Sequence, residues 1–321
     1  MTQRTLKSRV DVVGVGLHTG SRIRMQLLPA SEGTGIRFER TDLSGAPLNL
    51  RSLLSAPGQR GPGHASLSRA DHATTLSGGD FTISTVEHLM AAFLGLGIDN
   101  AIVRLSGEEV PIMDGSSAPF VYLLKEAGLR EQGEPRETIV FHRPVSVVDG
   151  DREVTVYPAD HFRISYTIEF SHPAIGRQSL SRTIDERTFV HHLAPARTFC
   201  LLRDVEALRE RGLALGGSLQ NAVVVGDAGP LNPLRFGDEF VRHKALDLIG
   251  DLALLGHPLS GHVVARKAGH ALHARLLNEI LRCRDAWSLV PQDAPADTVR
   301  IPAVAAMRSP ATRALGGAAR V

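Results

Sequence analysis

The chain has few cysteines and no long hydrophobic run. Only Cys200 and Cys283 occur among 321 residues, which excludes a disulfide framework and a four-thiolate zinc site and is typical of a reducing compartment. No stretch of roughly 18 apolar residues is present, and residues 1–10 lack the apolar core of a signal peptide. The sequence therefore predicts a cytoplasmic protein without a transmembrane segment.

The chain also lacks an excess of charge of one sign. Lys and Arg number 36 against 34 Asp and Glu, and this net charge of +2 is too small for a dedicated nucleic-acid binder, so we expect no nucleic-acid partner. Because thiolates are scarce, any metal must be held mainly by His and carboxylates. The hydrophobic content of 43% and charged content of 22% are ordinary for a globular chain, and 321 residues predict roughly two domains.

Strands precede helices in both halves of the chain. Residues 5–30 alternate apolar and polar residues and predict a hairpin, whereas Ser84–Gly97 has the spacing of an amphipathic helix. We interpret the polar segment Glu131–Glu137 as a linker. The other expected strands are Asn100–Leu105, Ile139–Val148, Glu153–Tyr157 and Phe162–Phe170, and the other expected helices are Phe120–Ala127, Phe240–Leu255 and His273–Trp287.

This order of elements predicts an α+β fold. We expect a first α+β domain over residues 1–130 and a second over residues 138–290. Residues 291–321 are rich in Ala, Pro and Arg and are expected to form a mobile tail. Gly58–Gly79, which is rich in Gly, Ser and His, is expected to be a loop or a short insert.

One predicted helix combines an apolar face with a polar seam. At ~100° per residue, His243, Asp247 and Asp251 fall within roughly 80° of arc. The opposite side of the helix carries the apolar residues Val241, Ala245, Leu248, Ile249 and Leu252. A His and an Asp four residues apart can chelate one cation without distorting the helix. The alternative is that the seam is the solvated face of an amphipathic helix, and this helix taken alone favours that alternative.

A second group of polar residues lies in the Ser84–Gly97 helix. His88 falls off the apolar stripe and is available as a ligand, and the adjacent Glu87 suits a general base. Glu87 also completes the capping-box pattern Ser84-Thr-Val-Glu87, and the sequence does not decide between the two roles. Two His and one Asp with an open fourth position form a catalytic zinc arrangement, but spacing alone does not show that His88 meets His243.

Seven sequence motifs, in this order along the chain, together resemble one enzyme family. They are Gly14-Val-Gly-Leu-His-Thr-Gly20, Ser84-Thr-Val-Glu-His-Leu89, Pro111-Ile-Met-Asp-Gly-Ser116, Ala196-Arg-Thr-Phe199, Leu215-Gly-Gly-Ser218, Phe240-Val-Arg-His-Lys-Ala-Leu-Asp-Leu-Ile-Gly-Asp251 and Gly269-His-Ala-Leu272. They cover roughly residues 3–285 and resemble the UDP-3-O-acyl-N-acetylglucosamine deacetylases.

The resemblance implies a zinc-dependent hydrolase that releases acetate from a UDP-linked acylated amino sugar in lipid A, and hence lipopolysaccharide, biosynthesis. It implies a two-domain sandwich in which each domain is a small β-sheet with α-helices packed on it. The active site lies between the domains, and a βαβ insert near residues 199–226 forms the passage for the acyl chain. Zn²⁺ is the expected cofactor. We expect a monomer that is free to make peripheral membrane contact.

The resemblance also assigns roles to individual residues. The implied zinc ligands are His88, His243 and Asp247. The implied catalytic residues are Glu87 as general base, Thr198 as oxyanion donor, His270 as cationic acid and Asp251 as its orienting carboxylate. Lys244, Phe199 and Phe170 are expected to contact substrate. Two alternatives stay open, a zinc amidohydrolase for another substrate and a non-catalytic zinc-stabilised binding protein.

Overall fold

A computed structural model describes residues 1–50, 66–69, 73–78 and 81–292 of the chain. Within these ranges the helices are α1 (Glu87–Leu96), α2 (Ala118–Ala127), α3 (Glu186–Thr188), α4 (Leu202–Glu210), α5 (Glu239–Ala253) and α6 (His270–Arg282). None of these described helices is long and apolar enough to cross a lipid bilayer.

A five-stranded sheet organises the first half of the chain. The strands of this half are β1 (Thr2–Leu6), β2 (Val10–Val15), β3 (Arg22–Pro29), β4 (Ile36–Arg40), β5 (Leu48–Asn49), β6 (Ser66–Arg69), β7 (Thr75–Gly78), β8 (Phe81–Ile83), β9 (Ala101–Leu105) and β10 (Leu129–Pro135). The sheet has the order β2-β3-β9-β4-β5, and β6-β7-β8 form a separate sheet. The expected hairpin is confirmed, since β2 and β3 pair antiparallel. Alternate residues of β3, namely Ile23, Met25 and Leu27, are buried in the core.

A seven-stranded mixed sheet organises the second half. The strands of this half are β11 (Glu137–Phe141), β12 (Val145–Asp149), β13 (Arg152–Tyr157), β14 (Phe162–Glu169), β15 (Arg177–Thr183), β16 (Phe199–Leu201), β17 (Val223–Gly226), β18 (Gly229–Pro230), β19 (Leu259–Arg266) and β20 (Trp287–Pro291). Strand β19 pairs antiparallel with β13 and parallel with β11 and β14. Phe162, Ile164 and Tyr166 alternate on β14 and are buried.

The predicted α+β class is confirmed, because several small sheets carry helices and most pairings are antiparallel. Strands β16 and β17 are parallel neighbours with α4 between them, and they lie within the segment 199–226. The division into domains at residues 130–138 stays a prediction. Residues 293–321 of the expected tail and most of Gly58–Gly79 lie outside the described residues.

The segment interpreted as a linker was assigned wrongly. It forms most of β10, which pairs antiparallel with β1 at the N-terminus of the chain. Most β10 side chains are exposed and the strand has a single hydrogen-bonded neighbour, so its sequence lacks the apolar alternation of a half-buried strand.

Two further boundaries were also wrong. Residues 139–148 form two strands rather than one. Pro144 has no N–H to donate to a neighbouring strand, so β11 ends before it and β12 begins after it. The last helix begins at His270 and ends at Arg282, and Trp287 begins a strand that pairs with β11. Leu276, Leu277 and Ile280 are buried at helical spacing, and the apolar Trp287 extends that pattern past the true end of the helix.

Helix α5 lies at the centre of the fold and meets α1 at a glycine. It packs against α1, α6, β14 and β15, and residues on all sides of it are buried. A Cβ atom at Gly250 would lie 2.0 Å from the carbonyl oxygen of Glu87 and 2.9 Å from its Cα. Only glycine therefore permits this approach of the two helices.

We expect Gly250→Ala to destabilise the protein by about 1–3 kcal/mol, because the added methyl group forces α1 and α5 apart. The effect opposes the ~1 kcal/mol by which alanine favours a helix over glycine. Denaturant unfolding measures it. The matched control is Gly237→Ala, since a Cβ at Gly237 has no neighbour within 4 Å. Equal stability of the Gly250 variant and the wild type would contradict the close approach.

Candidate active site

The first turn of α1 presents Glu87 and His88 to the interior. Thr85, two residues earlier, has φ +57°, a left-handed conformation that β-branched residues rarely adopt. Its hydroxyl donates to Oε1 of the buried Glu109 at 3.0 Å, which stabilises the strained turn. Glu87 and His88 are only 3% and 4% exposed. The strained turn thus directs two polar side chains away from solvent at the start of the helix.

His88, His243 and Asp247 converge on one point. Asp247 Oδ1 lies 3.2 Å from His243 Nε2 and 3.6 Å from His88 Nε2. The two imidazole centroids are 5.0 Å apart and the rings are nearly perpendicular. The ligand atoms of a tetrahedral zinc, at ~2.0–2.1 Å from the metal, lie about 3.3–3.5 Å from one another. His88 is remote in sequence from His243 and Asp247, and the three residues together form a group that can hold a metal ion.

The hydrogen-bond partners of these three side chains leave ligand atoms free to bind a metal cation. His243 Nδ1 donates to the carbonyl of Ala196 at 3.0 Å, which leaves the Nε2 lone pair free to bind a metal. Asp247 Oδ2 accepts from Lys244 Nζ at 2.8 Å. The buried Oδ1 of Asp247 and Nδ1 of His88 have no hydrogen-bond partner among the described residues. A buried carboxylate oxygen without a donor is costly, and a bound cation removes that cost.

The solvated-face alternative for the α5 seam is wrong. His243, Asp247 and Asp251 are each no more than 2% exposed. Helix α1 covers the seam, and α6 packs on α5 beside it. An amphipathic pattern shows that one face differs chemically from the other, but only packing shows whether the polar face meets water.

The capping-box role of Glu87 is also wrong. The Ser84 hydroxyl and the Ser84 N–H both donate to the carbonyl of Glu108, so neither takes part in a capping box. Glu87 Oε2 accepts instead from the N–H of Thr74 at 3.1 Å. Burial raises the pKa of Glu87, and the nearby imidazoles of His270 and His88 offset part of that increase. Glu87 is thus a buried carboxyl beside the group formed by His88, His243 and Asp247.

A second buried group surrounds Asp251, one turn further along α5. Asp251 Oδ2 accepts from His270 Nδ1 at 2.8 Å and from His273 Nδ1 at 2.7 Å, and Oδ1 accepts from the Thr74 hydroxyl. Although burial opposes it, these histidines lower the pKa of Asp251 to about 2. Both carboxylate oxygens are occupied by hydrogen bonds, so this group is less suited to a metal than the first.

His270 links the two groups. Its Nε2 lies 3.6 Å from Asp247 Oδ2 and 4.0 Å from Glu87 Oε1. Burial alone would lower its pKa, but the carboxylates of Asp251 and Asp247 outweigh that effect and raise the pKa of His270 to about 9. At neutral pH the ring is a cation that points its Nε2–H at the space between Glu87 and Asp247.

Two polar residues of this region were missed by sequence analysis. Thr74 lies in the segment assigned to a loop or insert, and no local pattern distinguishes it. It donates its N–H to Glu87 and its hydroxyl to Asp251. His273 was assigned only to the start of a helix. Its position three residues after His270 was a usable signal, because residues i and i+3 share a helical face.

The expected substrate residues line a cavity of about 750 Å³ next to the metal-binding group. Phe170, Phe199 and Lys244 belong to its wall, together with Thr198, the expected oxyanion donor, and apolar residues of α4. Lys244 Nζ lies 5.7 Å from the centre of the Phe199 ring and also pairs with Asp247. Phe199 in turn contacts Phe170, with centroids 5.6 Å apart. The cavity and the buried polar group therefore share a boundary.

Comparisons with known proteins match nearly the whole chain. A family profile described as UDP-3-O-acyl N-acetylglycosamine deacetylase matches residues 3–282. A UDP-3-O-acyl-N-acetylglucosamine deacetylase from Citrifermentans bemidjiense is 48% identical over 291 residues, which cover 90% of this chain and 92% of the relative. Proteins of the same name from Myxococcus xanthus and Pseudomonas entomophila are 48% and 46% identical, each over 90% of this chain and over 89% and 93% of their own lengths.

The two aspartates of α5 provide a matched test of the metal group. We expect Asp247→Asn to lose most of the bound metal ion, because the substitution removes the negative charge from Oδ1, which has no hydrogen-bond partner among the described residues. Asp251→Asn should keep the metal, because that side chain is already hydrogen bonded on both oxygens. Metal content after dialysis against a weak chelator measures both. Loss of zinc from the Asp251 variant alone would contradict the assignment.

Proposed function

The chain belongs to the UDP-3-O-acyl-N-acetylglucosamine deacetylase family, and we propose that it hydrolyses the N-acetyl group of a UDP-linked 3-O-acyl glucosamine with a Zn²⁺ ion held by His88, His243 and Asp247. The reaction releases acetate and belongs to lipid A biosynthesis. The observation that carries the proposal is the convergence of these three side chains beside the buried carboxyl of Glu87.

The metal choice follows from the donor set. Two imidazoles and one carboxylate with an open fourth position are the ligands of a catalytic zinc site, whereas Mg²⁺ and Ca²⁺ prefer all-oxygen sites. When bound, zinc lowers the pKa of a coordinated water and polarises the substrate carbonyl. Glu87 is not needed as a ligand, which leaves it free to accept a proton. A structural zinc site closes all four positions and has no use for such a base.

Glu87 is the proposed general base. Its burial raises its pKa towards the operating range, so it can both accept a proton from the attacking water and later release it. The N–H of Thr74 holds one carboxylate oxygen at 3.1 Å, and the other lies towards His270. The side chain is thereby oriented before substrate binds.

Thr198 and His270 are proposed to act on the charges that develop in the substrate. The Thr198 hydroxyl donates to the carbonyl oxygen as it becomes negative, and the backbone N–H of Thr198 anchors the residue to Gly115 O at 2.8 Å. His270 carries a proton at neutral pH and gives it to the departing nitrogen from Nε2. Asp251 orients the ring through Nδ1 and stabilises its charge.

The adjoining cavity is the proposed binding site of the remainder of the substrate. Its apolar wall from α4 and the neighbouring loop suits an acyl chain, and Lys244 offers a positive charge at the boundary with the reacting centre. Phe170 and Phe199 supply aromatic faces on the same side. A cytoplasmic location, a monomeric state, peripheral membrane contact and the domain boundaries stay predictions from the sequence.

The proposal is tested by acetate release from the UDP-linked acylated substrate. We expect activity in the zinc-loaded protein, loss of activity after removal of the metal with a chelator, and recovery on addition of Zn²⁺. Acetate release that is unaffected when metal analysis shows no bound ion would overturn the zinc assignment. A zinc-loaded protein that releases no acetate would overturn the proposed activity.

Glu87→Gln separates the base from the ligands. We expect the variant to bind Zn²⁺ like the wild type and to lose about 10²–10⁴-fold in kcat, because a proton acceptor is removed and no ligand is. Metal content and acetate release measure the two effects on the same preparation. A variant that loses its metal would show that Glu87 acts as a ligand or as a structural group.

The acyl chain distinguishes this reaction from that of a general zinc amidohydrolase. Each buried methylene contributes ~0.8 kcal/mol, so even four of them favour binding by about 3 kcal/mol, or more than 100-fold. We therefore expect UDP-N-acetylglucosamine without the acyl chain to react with a much lower kcat/KM. Equal kcat/KM for the two compounds would favour the alternative substrate class.

A further inference from the structure

We infer that His273 is a positioning residue of the catalytic apparatus, which holds Asp251 in the orientation that directs His270 at the reacting centre. The inference rests on the proposed function. His273 is 1% exposed, and its Nδ1 lies 2.7 Å from Asp251 Oδ2. No role for it follows from the metal group or from the substrate cavity, whose wall does not include it.

Four side chains form a continuous buried series. Tyr166 OH lies 3.1 Å from His273 Nε2, and His273 Nδ1 lies 2.7 Å from Asp251 Oδ2. The same carboxylate oxygen lies 2.8 Å from His270 Nδ1. The series joins β14, the last turn of α5 and the first turn of α6. It therefore ties His270 to two elements besides its own helix.

The hydrogen bonds determine which nitrogen of His273 carries the proton. Asp251 is ionised and only accepts, so at 2.7 Å the Nδ1 atom must donate to it. Burial also keeps His273 neutral, since it lowers the pKa of the ring. Nε2 then carries a lone pair 3.1 Å from the Tyr166 hydroxyl oxygen, and the single hydrogen of that hydroxyl is shared between Nε2 and the carbonyl oxygen of Ala268, which lies 2.9 Å from the hydroxyl oxygen. The ring is thus expected in one tautomer only.

Among the described residues, His273 is the one side chain besides His270 itself that donates to Asp251 Oδ2. Thr74 donates to the other oxygen, Oδ1, and His270 is the ring that Asp251 must orient. The two imidazoles approach Oδ2 with their planes 76° apart. His273 therefore restrains the carboxylate from a direction different from that of His270. Without it, Asp251 can turn about its terminal torsion and carry His270 Nδ1 with it.

This position predicts an effect on kcat rather than on KM. His273 contacts neither the cavity nor the metal group, so substrate binding should not change. A small displacement of the His270 ring weakens proton transfer to the leaving nitrogen, and a misplacement of about 1 Å can cost on the order of 10²-fold in rate.

Two amide variants test the direction of the contact. His273→Asn places an amide near the position of Nδ1 and can still donate to Asp251, whereas His273→Gln places its amide nearer Nε2 and Tyr166. We expect the Asn variant to keep a kcat near the wild-type value and the Gln variant to lose about 10²-fold, both with unchanged KM and zinc content. Thermal unfolding of both variants serves as the control for folding.

A second measurement needs no variant. In the zinc-loaded wild type, ¹⁵N NMR of the imidazole groups should show His273 as a neutral ring with its proton on Nδ1. The inference is overturned if the proton lies on Nε2, if the Asn and Gln variants have the same kcat, or if the effect falls on KM. It is also overturned if the wild type binds a second zinc that both variants lose. A wild type that releases no acetate would overturn the proposed function instead, while the NMR result would still test the hydrogen bond.

Discussion

The close approach of α1 and α5 at Gly250 is the contact on which the site depends. The absence of a side chain at Gly250 lets the backbone of Glu87 lie directly against α5. This brings His88 of one helix within 3.6 Å of Asp247 on the other, so that residues far apart in sequence share one centre. The strained turn at Thr85, held by Glu109, sets the direction from which α1 enters that contact. Backbone geometry and metal chemistry are thus coupled through two helices in direct contact.

The neighbourhood of α5 divides buried charge between two aspartates one helical turn apart. Asp247 has one oxygen paired with Lys244 and the other without a donor among the described residues, which suits it to a cation. Asp251 has both oxygens occupied by Thr74 and two histidines, which suits it to hold an imidazolium. An unpaired buried charge is costly. Lys244 compensates part of the charge of Asp247, whereas two histidines compensate that of Asp251. This division supports separate metal-binding and proton-transfer roles within one compact site.

Lys244 and Phe199 connect this polar interior to the cavity. Lys244 pairs with Asp247 and lies over Phe199, which packs in turn on Phe240 of α5 and on Phe170. A substrate in the cavity would therefore meet groups that also touch the proposed metal ligands. The apolar wall and the desolvated polar centre suit a molecule with a long hydrocarbon chain and a reacting amide. Membership of the deacetylase family agrees with such a molecule.

The sequence by itself determined the α+β class, most helices and strands, and the residue types able to hold a metal, because periodicity and spacing act within one element. It did not determine that the polar seam of α5 is buried or that Glu87 takes no part in a capping box. It also did not determine that most of Glu131–Glu137 lies in a strand paired with the N-terminal strand. Thr74 and His273 gain their partners from α1, α5 and β14, which no local pattern reveals. Only the tertiary structure decided these points, since burial and hydrogen-bond partners depend on elements that are distant along the chain and adjacent in space.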